Sequence, residues 1–121
     1  MLMPCCNESG THPAGHNRAA TLLCSLLQEP LYPYAEAGDG CSRIGYPPLT
    51  GGRTFRARFE PACEPELGRF QPQLLILSAG FDGHHENPIS QTLLREADYA
   101  WITNRLLAVA DRWASGQVLS C

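Results

Sequence analysis

The sequence lacks the features that would direct it into a membrane or out of the cell. No apolar run in its 121 residues approaches the roughly 20 residues that a membrane-spanning helix needs. The start, MLMPCCNESG, has neither a basic segment nor a continuous apolar segment, as a secretory signal would have. We therefore expect a soluble, intracellular protein, in cytoplasm or nucleus, without a membrane partner.

An excess of positive charge is also missing. Nine Lys and Arg residues stand against twelve Asp and Glu residues, for a net charge of −3, so electrostatics give no reason to expect direct binding to nucleic acid. With 44% apolar and 17% charged residues, the composition is that of a folded chain. The length suits a single domain.

The six cysteines include no C-x-x-C pair, which excludes the usual zinc knuckle and thioredoxin-type patterns. Reduced thiols are expected in the absence of a secretory signal. The adjacent Cys5 and Cys6 are open to two interpretations, as soft metal ligands or as part of an unstructured terminus.

The pattern divides the chain into an irregular N-terminal segment, residues 1–20, and a domain over residues 21–121. The run Thr21–Leu27 has the length and hydropathy of a strand. A helix is predicted from about Thr54 to Phe70, with a kink or break at Pro61 and Pro65, because an interior proline removes a backbone donor.

The second half contains a strand, a helix and a strand. Leu74–Ser78 is an apolar strand of the kind buried on both faces of a parallel sheet. Glu96–Ala114 has the periodicity of an amphipathic helix, and Gln117–Cys121 is a short strand. This order indicates a βαβ unit and an α/β fold.

Asp82, His84 and His85 follow the Leu74–Ser78 strand directly. Ligands of open α/β sheets gather beyond the carboxyl ends of the strands, so this turn is a candidate site. The alternative is a solvated surface turn.

The stretch SAGFDGHHENP and the helix EADYAWITNRLLAVADRW resemble the histone deacetylase superfamily, in its class II-like, acetylpolyamine amidohydrolase and acetoin-utilisation branches. SLLQEPLYPY and PPLTGG are similar to preceding elements of that family, with less specificity. The resemblance implies an incomplete parallel-sheet arginase/deacetylase-like α/β fold with flanking helices.

The resemblance implies a zinc-dependent amidohydrolase that removes acetyl from acetyl-lysine or another acetylated amine. Zinc would polarise the acetyl carbonyl and activate a water, and a catalytic zinc needs three protein ligands and an open position. The family's strand-end aspartate, a zinc ligand, corresponds to Asp82. His84 fits a position that shapes the turn, whereas His85 has no family counterpart and is expected at the surface.

Other parts of the catalytic set do not match. The remaining ligand and proton-transfer positions would fall on Pro4–Asn7, and proline cannot replace a carboxylate. His12 and His16 would share a face only in a helix, which Pro13 and Gly15 disfavour. In the family, the oxyanion-stabilising tyrosine follows the last strand. None of the four tyrosines of this chain, Tyr32, Tyr34, Tyr46 and Tyr99, matches that position.

We therefore predict that the chain is not catalytically competent alone, and that no catalytic residue can be assigned beyond the metal ligand Asp82. One alternative is a non-catalytic interaction protein that keeps part of the deacetylase fold and associates through an exposed sheet edge. Another is an incomplete gene product.

Overall fold

A computed structural model describes residues 2–4, 21–29 and 41–120 of the chain, in an α/β arrangement. In chain order its elements are β1 (Leu2–Pro4), β2 (Leu23–Gln28), β3 (Cys41–Tyr46), α1 (Gly52–Phe70), β4 (Leu75–Leu77), α2 (Glu96–Trp113) and β5 (Val118–Ser120).

The strands form one parallel sheet in the order β3-β2-β1-β4-β5. From β1 the chain builds outward to β2 and β3 on one side, and β4 and β5 lie on the other side. The direction of building therefore reverses between β1 and β4. In parallel α/β sheets such a switch point is where loops separate and leave a crevice at the carboxyl edge. The α/β class predicted from the sequence is confirmed, and β4, α2 and β5 form the predicted βαβ unit.

Three residues of the segment predicted to be irregular, Leu2–Pro4, form strand β1. They pair in parallel with β2 and, through Leu2 and Leu77, with β4. A strand this short has too few residues to show an alternating pattern, so sequence reasoning could not find it. The boundary predicted at residue 21 stays a prediction. Cys5, Cys6, His12 and His16 lie outside the described residues.

Helix α1 runs unbroken through Pro61 and Pro65, so the predicted break is wrong. The buried residues of α1 recur every fourth position: Phe55, Phe59, Cys63 and Leu67. Both prolines are exposed, about half a turn away from that stripe. Carbonyls that lose their donor to a proline therefore face solvent, where water satisfies them.

The core lies between the sheet and the two helices. It joins α1 and α2 to side chains of β2, β3 and β4, with Phe59 fully buried at its centre. The Phe59 ring meets Trp101 of α2 edge to face, with centroids 5.7 Å apart. Cys24 and Cys63 are buried thiols within this core, and a hydrogen bond to Cys24 together with burial raises the pKa of Cys63. In the part of the chain that is described, neither helix has the length and hydropathy to cross a bilayer.

Candidate metal-binding turn

Asp82 lies in the loop that follows β4, on the carboxyl edge of the sheet. Because β4 borders the switch point, this loop opens beside the end of β1. The chain turns sharply after Asp82: the amide of His84 donates to the carbonyl of Phe81 at 3.0 Å, and the amide of Asn87 donates to that of His84 at 2.8 Å. Asp82 thus follows the carboxyl end of a parallel strand, the region where open α/β sheets bind ligands, and its role as a ligand stays a prediction.

The carboxylate of Asp82 makes no hydrogen bond or ion pair to any residue in the ranges 2–4, 21–29 and 41–120. Its carbonyl, by contrast, accepts a hydrogen bond from the Ser90 hydroxyl. A half-buried carboxylate with no partner for its charge among the described residues is well suited to receive a cation. Ser90 thus holds the backbone of Asp82, whereas the carboxylate of Asp82 has no partner among the described residues.

His84 and His85 both pack into the turn. Their rings meet edge to face with centroids 4.5 Å apart. His84 Nε2 lies 3.6 Å from a carboxylate oxygen of Glu96. The backbone amide of Glu96 in the first turn of α2, followed by the charge of His84, lowers the pKa of the Glu96 carboxyl. His84 therefore contacts the start of α2, and the turn-shaping role predicted for it stays a prediction.

His85 is half-buried rather than at the surface, and this corrects the expectation from sequence. Its amide donates to the carbonyl of Leu94 at 2.9 Å. Its Nδ1 is buried and has no hydrogen-bond partner among the described residues. The pairing with Leu94 is a contact across the loop, and local sequence carries no signal for it.

Asp98 fixes the helices that flank the turn. Its Oδ2 accepts from the amide of Arg95 at the start of α2 (3.0 Å), and its Oδ1 accepts from Arg56 Nη2 (2.8 Å). The same carboxylate lies against Gly52, the first residue of α1. Since α1 has no acidic residue in its own first turn, Asp98 supplies negative charge to the N-termini of both helices.

The described residues do not make a complete metal site. No group of three or more His, Cys, Asp and Glu side chains among them is arranged to hold a metal ion. Pro4, where the family resemblance aligned a ligand, ends β1 and offers no side-chain donor atom. Cys5, Cys6 and Asn7 lie outside the described ranges. The described residues therefore do not supply the three protein ligands of a catalytic zinc, and we derive no catalytic step through a metal.

A parallel sheet flanked by helices, with a polar turn at its switch point, places the chain in the α/β class. Residues 9–121 match the model of the histone deacetylase domain. The chain belongs to this family, whose members are generally zinc-dependent. The match begins within the segment that was predicted to be irregular.

Curated relatives are named as a deacetylase and an amidohydrolase. A probable deacetylase of Archaeoglobus fulgidus is 32% identical over 120 residues, which cover 92% of this chain and 33% of that protein. Acetylpolyamine amidohydrolase 1 of Pseudomonas aeruginosa is 31% identical over 111 residues, covering 81% of this chain and 32% of the relative. The chain thus spans about a third of the length of these relatives.

Solved structures show the same fold. The chain superposes on an acetylpolyamine aminohydrolase from Burkholderia pseudomallei with a TM-score of 0.79 and 24% identity, covering 98% of this chain and 37% of that one. The histone deacetylase Clr3 gives a TM-score of 0.79 at 24% identity, with 98% and 22% covered. The incomplete arginase/deacetylase-like fold predicted from the sequence is confirmed.

Proposed function

We propose that this chain carries one zinc ligand, Asp82, of an amidohydrolase site that removes acetyl groups from acetyl-lysine or another acetylated amine. One observation carries the proposal: the carboxylate of Asp82, without a partner among the described residues, lies at the carboxyl end of β4 beside the switch point. The names of the relatives, a probable deacetylase and an acetylpolyamine amidohydrolase, support the substrate class. The acetylated amine itself is left open.

The same geometry limits what the 121-residue polypeptide does by itself. Since no three His, Cys, Asp or Glu side chains of the described part are arranged to hold a metal ion, these residues would hold zinc weakly, because tight catalytic zinc sites use three protein ligands. We propose that the isolated polypeptide is inactive, and that activity requires the other ligands from residues outside the described ranges or from another polypeptide.

The zinc assignment is tested by titrating the isotope-labelled chain with zinc and recording backbone and carboxyl resonances. Zinc is expected to shift the resonances of Asp82 and Gly83 at high micromolar to millimolar concentration, and Asp82→Asn should remove these shifts. Asp111→Asn is the matched control, because Asp111 is an exposed aspartate of α2 and its loss should leave the zinc response unchanged.

An acetyl-lysine reporter completes the experiment, and no hydrolysis above background is expected from the isolated polypeptide. Stoichiometric zinc with turnover that Asp82→Ala abolishes would overturn the inactivity proposal. A zinc response that is identical in Asp82→Asn would overturn the ligand assignment.

A second candidate function, a non-catalytic interaction module, is favoured by an apolar strip on the sheet. Leu74 and Leu119 are 49% and 53% exposed. Ile76 pairs with Leu119 in the β4–β5 register, so these side chains share the face opposite Leu75. In the described sheet β5 is an edge strand, and an apolar edge is a site of strand pairing and association.

Leu119→Lys is expected to reduce association through this edge, because a charge on an edge strand opposes pairing. The measurement is the molecular mass in solution by sedimentation, for the chain alone and mixed with a full-length deacetylase. Leu107→Lys is the matched control, since Leu107 is 42% exposed on α2 and away from the sheet. A wild-type chain that stays monomeric in both samples would refute the interaction function.

A further inference from the structure

Two buried hydroxyl groups hold the backbone of the candidate metal-binding turn, residues 82–85. The Ser90 hydroxyl donates to the carbonyl of Asp82, and the Thr92 hydroxyl donates to the carbonyl of Gly83 at 2.7 Å. The two hydroxyl oxygens are themselves 2.9 Å apart. Ser90 and Thr92 are only 7% and 6% exposed, so water competes little for these hydrogen bonds.

The segment that carries these hydroxyls is anchored to the sheet. The amide of Gln91 donates to Oε1 of Gln28 at 2.7 Å, and Gln28 is the buried last residue of β2. The carbonyl of Gln91 accepts from the amide of Leu49 at 2.9 Å. The hydroxyls of Ser90 and Thr92 therefore link the turn to the end of β2.

Gly83 also packs closely against the segment of residues 90–94. A side chain at Gly83 would meet Thr92 Oγ1 at 3.1 Å and Leu94 Cδ1 at 3.3 Å. The amide of Leu94 donates to the carbonyl of Gly83 at 3.2 Å, so that carbonyl accepts both from Leu94 and from the Thr92 hydroxyl. The turn has little freedom to shift relative to the 90–94 segment.

We propose that Ser90 and Thr92 are positioning residues for Asp82. The Asp82 carboxylate has no partner of its own in the described part of the chain, so its direction depends on where its backbone is held. The two hydroxyls hold that backbone and thereby present the carboxylate at the switch point. That this positioning serves metal binding rests on the proposed function. That the two hydroxyls hold the backbone rests only on their hydrogen bonds.

The test compares Thr92→Val, which keeps the shape of threonine and removes the hydroxyl, with Thr92→Ser, which keeps the hydroxyl. In the full 121-residue chain, Thr92→Val is expected to shift the carbonyl carbon resonance of Gly83. It is also expected to speed hydrogen exchange at the amides of His85 and Leu94 by about tenfold, the equivalent of one hydrogen bond. Thr92→Ser should restore both readouts, which a purely packing role of the methyl group would not do.

Ser90→Ala supplies an independent variant, with the expected shift at the Asp82 carbonyl carbon. The amide of Ala114, which donates to Ala110 at the end of α2, is the internal reference and should exchange at the wild-type rate in all variants. Equal behaviour of Thr92→Val and Thr92→Ser, together with an unshifted Asp82 carbonyl in Ser90→Ala, would overturn the proposal.

Zinc-induced shifts at Asp82 separate this inference from the proposed function. At equal zinc concentration they are expected to be smaller in Thr92→Val than in Thr92→Ser. If zinc does not shift the Asp82 resonances in the wild type but the hydroxyl variants still change the carbonyl shifts and the hydrogen exchange, the zinc assignment is wrong. The role of the two hydroxyls in holding the backbone is then still supported. If zinc acts at Asp82 equally in both variants, the positioning role is wrong and the ligand assignment stands.

Discussion

Phe59→Ala is expected to lower the free energy of unfolding by about 3–5 kcal/mol, the usual loss when a buried phenylalanine is truncated. Phe59 is 0% exposed and lies where α1 meets α2 through Trp101. Small domains have total stabilities of about 5–15 kcal/mol, so this single change would remove a large part of the stability. The cavity would open where α1 packs against α2, the helix that follows the turn containing Asp82.

Urea denaturation followed by circular dichroism measures this loss. Leu107→Ala is the control, because Leu107 is 42% exposed on α2 and its truncation should change the stability by less than about 1 kcal/mol. A Phe59→Ala chain as stable as the Leu107→Ala chain would show that the α1–α2 core is not packed as described.

Gly52→Ala is expected to cost about 2–3 kcal/mol, which is large for the addition of one methyl group. A Cβ at this position would lie 1.9 Å from Oδ1 of Asp98. The carboxylate could avoid the methyl group only by leaving the amide of Arg95 and the guanidinium of Arg56, which it now accepts from. Both helix N-termini would then lose their negative partner.

A double-mutant cycle with Asp98→Ala isolates the cause. With Asp98 truncated, adding Gly52→Ala should cost little, because the three atoms nearest to the added methyl group all belong to the Asp98 carboxylate. Gly68→Ala is the matched control inside the same helix, where an added Cβ meets nothing within 4 Å. It should stabilise the chain by about 0.5–1 kcal/mol through helix propensity. An undiminished cost of Gly52→Ala in the Asp98→Ala background would contradict the explanation.

The local elements of the second half could be predicted from the sequence. The apolar run before Asp82 gave the position of β4, the periodicity after Glu96 gave α2, and the last residues gave β5. These patterns depend on side chains a few positions apart, which is the range over which hydropathy reports structure. The position of Asp82 at a strand end, and hence its candidacy as a ligand, follows from the same local signal.

The first half was predicted less well, for reasons of range. Strand β1 has three residues and exists only because β2 and β4 pair with it on both sides. The rule that proline breaks helices failed at Pro61 and Pro65, because both lie on the solvent face of α1. Whether a proline interrupts a helix depends on what the freed carbonyl faces, and the packing of the helix decides that.

By itself, the sequence determined the α/β class, the βαβ unit and an aspartate at the end of β4, because each is encoded in residues that are neighbours along the chain. Only the tertiary structure decided that β4 borders a switch point and that Ser90 and Thr92 hold the turn. It also decided that Asp98 serves the start of α1. These three features depend on contacts between segments that are distant along the chain. The spacing of residues along one strand or helix does not predict such contacts.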